Sequence, residues 1–394
     1  MSAIHLRAMG LVCSLGVGEA EVRRALFGDA PSGLTVSEAY SPGRPLHLGM
    51  VHAELPSLAH AAPHLRVRNN ALAASALAQM RPAVDQAIAR FGPGRLAIVV
   101  GTSTSGLPEG EAARRQWEQQ GSWPAGFSYA RQELGNLADF LAAELGATGP
   151  AHVISTACSS GAKALASGAR LLKAGLADAV VAGGSDALGA FTVAGFSALE
   201  SVSADRCNPL SVNRHGINLG EGAALFLMAR DEGPVRLAGW GESSDAHHIS
   251  APEPEGKGAI AAMRQALQRA SLQPGQVDYL NLHGTATPQN DAMESKAAAA
   301  VLGAEVPVSS TKSLTGHTLA AAGAIEAALA WLMLVDNPQG LLPPHWWDGR
   351  LDPALPPLNI VRPGQSLGRA ARYVMSNSFA FGGSNAALLL GASS

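Results

Sequence analysis

Five residues in this chain are of types, and stand in places, that could do covalent and acid–base chemistry. Cys158, in "VISTACSSGAKALASGARLLKAG" (153–175), lies between a short apolar run and a long stretch of small residues with leucines at 165, 171 and 172. That order reads as a strand, a tight turn and a helix, with the thiol at the helix start. Unpaired backbone N–H groups and the positive end of the helix dipole favour thiolate there, so a pKa below the ordinary value of about 8.5 and a nucleophilic role are expected. The alternative for any single cysteine is a buried, inert, small hydrophobe. His283 directly follows the apolar start of "NLHGTATPQND" (281–291), where an imidazole would face a cleft at a strand's C-terminal end. "SSTKSLTGHTLAAAGAIEA" (309–327) carries Lys312 and His317, then Glu326 inside an Ala-rich helix. A lysine and a glutamate in apolar surroundings are unfavourable unless paired, so an ion pair beside His317 is the economical reading. A solvated pair on a surface helix is the other.

Placing such groups requires a scaffold, and the rest of the chain supplies one. The β-rich apolar runs at 95–106, 151–157, 178–187, 223–229, 234–241, 277–284, 307–313 and 372–379 read as strands. Ala-rich periodic stretches at 69–80, 132–145, 159–174, 256–270, 291–302 and 318–335 read as helices. Their alternation implies right-handed crossovers and sheets covered on both faces, hence an α/β fold. "ARDEGPVRLAG" (229–239) is a polar turn between two apolar strands and divides the chain into unequal parts. "GLLPPHWWDGRLDPALPPLN" (340–359) reads as a structured loop or arm, because two tryptophans in a purely solvated segment would be unusual.

Composition narrows the function classes. At 394 residues the chain exceeds a single core of about 100–200 residues, so two domains or two halves of one large domain are expected. Charged residues make up 15%, against about 25% in an average globular chain, so much of the molecule should be buried. The N-terminal stretch shows no basic segment followed by a long apolar core, and Gly, Asp or Glu interrupts each later apolar run before about 18 residues. A cytoplasmic protein with no membrane partner is expected. The net charge is −3 with dispersed Lys and Arg, which argues against nucleic acid. Cys13, Cys158 and Cys207 are odd in number and far apart, so neither a disulfide framework nor a zinc site is indicated. Cys13 and Cys207 lack a helix-start context and read as inert. His247 and His248 are adjacent, cannot face one ion from a regular element, and have no evident third ligand, so no metal site is assigned. "GTSTSG" (101–106) mimics a phosphate loop without its G-K-[ST] ending and reads as a turn or pocket wall.

Taken together, "TACSSGAKA" around Cys158, "HGTATPQND" around His283, "STKSLTGHTLAAAGAIEA" around Lys312 and His317, and "NSFAFGGSN" (377–385) resemble the elongating, Cys-His-His type of β-ketoacyl-acyl carrier protein synthase in the thiolase-like superfamily. The resemblance runs from "MGLVCSLG" (9–16), similar to the family's first strand and turn, to "GGSNAALLLG" (382–391). It implies a five-layered αβαβα fold of two similar halves, 1–232 with Cys158 and 233–394 with the two histidines. It implies acyl carrier protein as partner, a homodimer or a heterodimer with a chain-length factor, and no cofactor. By similarity, Cys158 accepts an acyl group from a thioester, and His283 and His317 decarboxylate malonyl carrier protein and hold the enolate. The backbone N–H groups of Cys158 and Phe381 would form the oxyanion hole, Phe379 and Phe381 would gate it, and Lys312 with Glu326 would give electrostatic support.

Departures from the family pattern point to a specialised branch. Ala380 stands where the gate usually has glycine, which predicts a stiffer Phe381 gate. The stretch at 203–224 is short, and His215 occupies a place where aspartate is common, a pattern resembling synthases of aryl polyene or polyketide pathways. A thiolase would need a second catalytic cysteine after Cys207, and the chain has none. An initiating synthase would have asparagine in place of His317. A noncatalytic chain-length or acyl-binding partner subunit is the remaining alternative, and the intact Cys158, His283 and His317 speak against it. Arg66 with Arg68 and Arg206 with Arg214 are the expected docking clusters for an acidic carrier protein.

Overall fold

A computed structural model describes residues 3–28 and 32–393. The apolar runs form strands because they can be buried on both faces: no residue of Leu96–Gly101 or Ala179–Asp186 reaches solvent appreciably. In chain order the main strands are β1 (His5–Cys13), β2 (Leu96–Gly101), β3 (Ala151–Ile154), β4 (Ala179–Asp186), β5 (Gly222–Ala229), β6 (Val235–Ser244), β7 (Tyr279–Asn281), β8 (Pro307–Ser309), β9 (Tyr373–Ala380) and β10 (Ser384–Ala392). They line up as β3-β2-β4-β5-β1, then β6-β10-β9-β7-β8, with the two-residue strand Asn359–Ile360 at the far edge. β3, β2 and β4 are parallel, and β5 and β1 follow antiparallel. In the second set β8, β7 and β9 are parallel, and β10 and β6 follow antiparallel. The same order and the same directions thus occur twice. The two sets meet where His5 and Leu6 pair with Arg236 and Val235.

Six helices make the remaining layers: α1 (Arg68–Phe91), α2 (Asn136–Leu145), α3 (Ser160–Lys173), α4 (Lys257–Ala270), α5 (Pro288–Leu302) and α6 (Ala322–Leu334). α1 and α2 cover the outer face of the first set, and α4 with α5 that of the second. α3 and α6 lie between the sets and touch both. That is the five-layered αβαβα arrangement implied by the resemblance. A helix sandwiched between two sheets must be apolar all round, and every residue from Ala322 to Met333 is buried. The small residues after Cys158 have a packing reason as well. A Cβ on Gly161 would lie 2.8 Å from the Ala324 backbone N, and one on Gly323 would lie 2.9 Å from that of Ala162, so α3 and α6 cross backbone to backbone.

Several boundaries differ from the sequence expectation. α1 extends past Pro82 to Phe91 because Val84 and Ala87 continue its buried face. The strand expected over 307–313 stops at Ser309, and Lys312–Thr315 turns into a short helix. The helix expected from 318 begins as a 3-10 turn at Leu319, whose φ of +53° breaks the regular path. Helices at Leu107–Gln120 and Ala190–Ala198 carry no clear apolar period and escape a pattern reading. Among the described residues, no helix is long and apolar enough to cross a membrane.

Candidate active site

Cys158 stands on an elbow between β3 and α3. Ala157 adopts φ +50°, a left-handed conformation that an alanine holds only under local constraint. Ser160 supplies it: its hydroxyl accepts from Thr156 N–H at 2.8 Å and donates to the Ala157 carbonyl at 2.6 Å. The thiol is lifted into a cleft lined by His283, His317, Thr285, Phe379 and Phe381. His317 Nε2 lies 3.0 Å from Cys158 Sγ. The two imidazoles face each other edge to face, with centroids 5.4 Å apart at 85°. One donor atom from each of the three residues lies within 4.8 Å of the others, which among the described residues is also the one cluster with metal-ligand spacing. His247 and His248 are exposed and outside it.

Backbone hydrogen bonds from distant segments fix both histidines. Just after β7, the N–H groups of His283 and Gly284 each donate to the Glu294 carboxylate at 2.7 Å, and Asn377 donates to it from β9. The His317 N–H donates to the Asn218 carbonyl at 2.6 Å, within the 203–224 stretch. Ser310 joins the two loops: its hydroxyl donates to the Gly284 carbonyl at 2.7 Å, and its N–H donates to His345 Nδ1 at 3.0 Å. His345, in the Pro-rich arm, reaches the Pro209 carbonyl with its other nitrogen at 2.9 Å. The arm is therefore structured, and it is docked on the 203–224 stretch.

Lys312 and Glu326 form a buried ion pair, 2% and 3% exposed, through a short Nζ to Oε1 contact. The structure thus brings Cys158, His283, His317, Lys312 and Glu326 into one region. Phe379 is buried, with its ring edge-on to His283 at 6.3 Å. Phe381 is half-buried and tilts against Phe196 at 5.8 Å.

The electrostatics correct one expectation. Burial pushes the Cys158 thiol up to about 12, and the Lys312 charge and the backbone N–H of Cys158 only partly oppose it. The helix-start field does not win in so dry a place, so the resting group is a thiol. Burial, reinforced by Lys312, also holds His283 and His317 well below the usual imidazole range, and His317 further lowers His283. Both rings are neutral, and a neutral ring has one nitrogen to accept a proton and one N–H to donate. Glu326 is raised by burial against the pull of Lys312. Cys13 and Cys207 are buried, with thiols pushed up to about 11 and about 12 by burial, in keeping with inert roles.

The "GTSTSG" loop binds an anion, but an internal one. The buried Asp186 carboxylate accepts from the Thr102, Ser103 and Thr104 hydroxyls and the Ser103 and Thr104 N–H groups at 2.6–2.9 Å. Ala320 N–H adds a sixth bond at 2.7 Å, tying the loop to the chain just after His317. Sequence reasoning missed Asp186, Glu294, Asn218 and His345. An acidic residue ending a wholly apolar strand was the available signal for Asp186. The docking clusters also need correction. Arg68 is fastened to the buried Glu221, Arg214 to Asp352, and Arg206 stacks over Trp346, so neither cluster offers two uncommitted charges.

Two family models cover most of the chain: "Beta-ketoacyl synthase, N-terminal domain" matches residues 74–233, and "Beta-ketoacyl synthase, C-terminal domain" matches 235–346. The chain belongs to the β-ketoacyl synthase family. This β-ketoacyl synthase is 34% identical over 313 residues to the 3-oxoacyl-[acyl-carrier-protein] synthase 2 of Staphylococcus aureus, covering 75% of this chain and 76% of that one. It is 36% identical over 275 residues to the mitochondrial 3-oxoacyl-[acyl-carrier-protein] synthase of Arabidopsis thaliana, 62% of this chain and 57% of the other. Among solved structures, the ketosynthase ApeO in complex with its chain length factor ApeC from Xenorhabdus doucetiae superposes with a TM-score of 0.93 at 43% identity, covering 100% of this chain and 98% of that one. The ishigamide ketosynthase/chain length factor gives 0.88 at 25% identity, with both chains fully covered. As a β-ketoacyl synthase the chain is an acyltransferase that makes a carbon–carbon bond by decarboxylative Claisen condensation.

Proposed function

We propose that this β-ketoacyl synthase carries the growing acyl chain on Cys158 and extends it with malonyl units delivered by acyl carrier protein. The Sγ–Nε2 distance of 3.0 Å, between a protonated thiol and a neutral imidazole, carries the reading. In the first step the Cys158 sulfur attacks the acyl thioester, its proton passes by way of His317 to the departing carrier thiolate, and an acyl-cysteine thioester remains. In the second, the malonyl carboxylate leaves as CO2, and the N–H of His283, joined by that of His317 once its proton is back on the nitrogen facing the cleft, holds the enolate oxygen. In the third, the enolate carbon attacks the Cys158 thioester, the N–H groups of Cys158 and Phe381 hold the oxyanion, and the cysteine sulfur leaves and takes up one proton. Phe379 and Phe381 gate the cleft, and burial, with the charge of Lys312 that Glu326 holds in place, keeps both imidazoles neutral.

The two strand repeats correspond in this reading to halves 1–232 and 233–394. The 43% identity to ApeO, solved with a chain length factor, supports aryl polyene elongation and a heterodimer over fatty-acid elongation by a homodimer. Three unpaired cysteines suit a cytoplasmic enzyme. A noncatalytic partner subunit is disfavoured because the thiol and both imidazoles are present and in contact. Intact-mass analysis after incubation with acyl-loaded carrier proteins tests the assignment: wild type should gain one acyl mass and Cys158→Ala none. Equal acylation of the two would reject Cys158 as the nucleophile.

A further inference from the structure

The nucleophile's own helix carries a lysine that the chemistry above does not use. Lys163 lies in α3, half-buried, on a helix otherwise rich in Ala, Gly and Leu. Burial lowers its pKa, with Arg170 adding repulsion. Its ammonium donates to Ser384 Oγ at 2.6 Å, not to a carboxylate. Ser384 Oγ is 3.0 Å from Ser159 Oγ, which is 2.8 Å from the Thr156 carbonyl. Ser384 Oγ thus accepts from both the ammonium and Ser159, and the single Ser159 hydroxyl proton is shared between Ser384 and the Thr156 carbonyl. A line of hydrogen bonds therefore runs from Lys163 to the elbow that lifts Cys158.

Ser384 is the first residue after the turn Phe381–Gly383, in which Gly382 and Gly383 have φ of +79° and +70°. Two other bonds of that turn lead elsewhere: Gly382 N–H donates to the Ile249 carbonyl at 2.7 Å, and Asp245 N–H donates to that of Gly383 at 2.9 Å. The bond from Lys163 instead joins the turn to the helix of the nucleophile.

We infer that Lys163 is a positioning residue that clamps the Phe381 turn to the Cys158 elbow and so sets how far the turn opens. This rests on the reading of Phe381 as a gate. Without the ammonium, only the Ser159 bond to Ser384 ties the turn to the elbow against the bonds on the 245–250 side, and bulky groups gain access to Cys158 while small ones gain little.

Alkylation by iodoacetamide and by its N-phenyl analogue iodoacetanilide measures this directly. In both, the Cys158 sulfur displaces iodide from the same carbon, so the ratio of the two rates cancels thiol reactivity and reports access. Rates are read by mass on the Cys158 peptide. Lys163→Met and Ser384→Ala should each raise the bulky-to-small ratio about five-fold, the weight of one partly screened hydrogen bond to a charged donor. The double variant should go no further, and Lys163→Arg should restore the wild-type ratio; a raised ratio in the arginine variant would count against the hydrogen bond as cause. Phe381→Ala must also raise the ratio, and if it does not, the gate reading fails and the clamp with it. If Phe381→Ala raises it while Lys163→Met and Ser384→Ala do not, the clamp alone is overturned. Should Lys163→Met fail to fold, Ser384→Ala carries the test.

Discussion

Cys158, His283 and His317 all rest neutral, so the site stores no thiolate and must move the thiol proton as the substrate arrives. In the proposed cycle that suits decarboxylation, where a neutral imidazole would donate N–H to an enolate without first losing a proton. His283→Ala and His317→Ala should each lower release of CO2 from malonyl carrier protein by about 10²-fold, the scale of losing an oxyanion donor; acyl loading of Cys158 should survive in His283→Ala and slow in His317→Ala, which loses the route for the thiol proton. Normal release in either variant would remove that residue from the role. Glu294 adds a pH dependence. Burial raises its carboxyl to about 7, against the pull of the Gly284 and His283 N–H groups that it accepts. The ionised form accepts both bonds, and protonation converts one oxygen to a donor facing a donor. The condensation rate should therefore fall as pH drops through about 7, and Glu294→Gln should lose that limb while keeping a lower plateau. A wild-type limb unchanged in the Gln variant would place the titration elsewhere. The three central residues were legible in the sequence because each opens or follows a regular element. The sign of the Cys158 shift was not, since burial is set by segments more than a hundred residues away.

Elements, more than loops, explain why those residues meet. α3 and α6 can cross only because Gly161 and Gly323 lack side chains, which brings the nucleophile helix against the helix of Glu326. Gly161→Val should destabilise the fold by about 3 kcal/mol, at the upper end for overpacking against backbone atoms that cannot retreat, and chemical denaturation would measure it. A shift below 0.5 kcal/mol, on the order of a surface change, would mean the crossing is looser than the contacts indicate. The arm and the 203–224 stretch are a second such unit, locked at its centre by His345. Burial lowers His345 to about 4, with the Pro209 carbonyl opposing. The folded state thus binds its proton more weakly than the unfolded chain. The stability His345 contributes is complete above the unfolded pKa of about 6.5 and is lost as pH falls toward 4, by about 3 kcal/mol. Melts at pH 7.5 and pH 5 should show about 2 kcal/mol of this loss in wild type and less of it in His345→Gln. The sequence announced the arm through its tryptophans, yet not its seat, because Asp348 and Asp352 find Ser211, Asn213 and Arg214 across the fold.

At the scale of the whole molecule, the repeated strand order puts Cys158 after β3 and His283 and His317 after β7 and β8, at matching ends of two similar halves. Alternation of strands and helices made the α/β class legible. The doubling came only from the family resemblance, because it lies in strand order, which the period of a sequence does not encode. Ala380, read from the sequence as a stiffener, is extended at φ −115° and ψ 157°, where any residue is at ease, and the turn's freedom sits in Gly382 and Gly383. The side of the cleft lined by Phe191 and Leu199 is the more distinctive feature. Phe191 and Leu199 line it beside Cys158 and Phe381, yet stand 68% and 56% exposed in the single chain. Apolar side chains that border a reactive thiol and open to water are what a partner chain would cover. If this synthase extends aryl polyenes with a chain-length subunit, that subunit should close the cleft over Phe191 and Leu199 and fix the acyl shape accepted. Misfit of a chain in the closed pocket is worth on the order of 1–3 kcal/mol, so competing saturated, polyenoyl and aryl-polyenoyl carrier proteins should separate by about ten-fold or more. The aryl-polyenoyl substrate should lead when the partner is present, and Phe191→Asp should abolish both the complex and the preference. Saturated medium chains condensed fastest by a homodimer alone would refute the specialised pathway and leave the β-ketoacyl synthase chemistry standing.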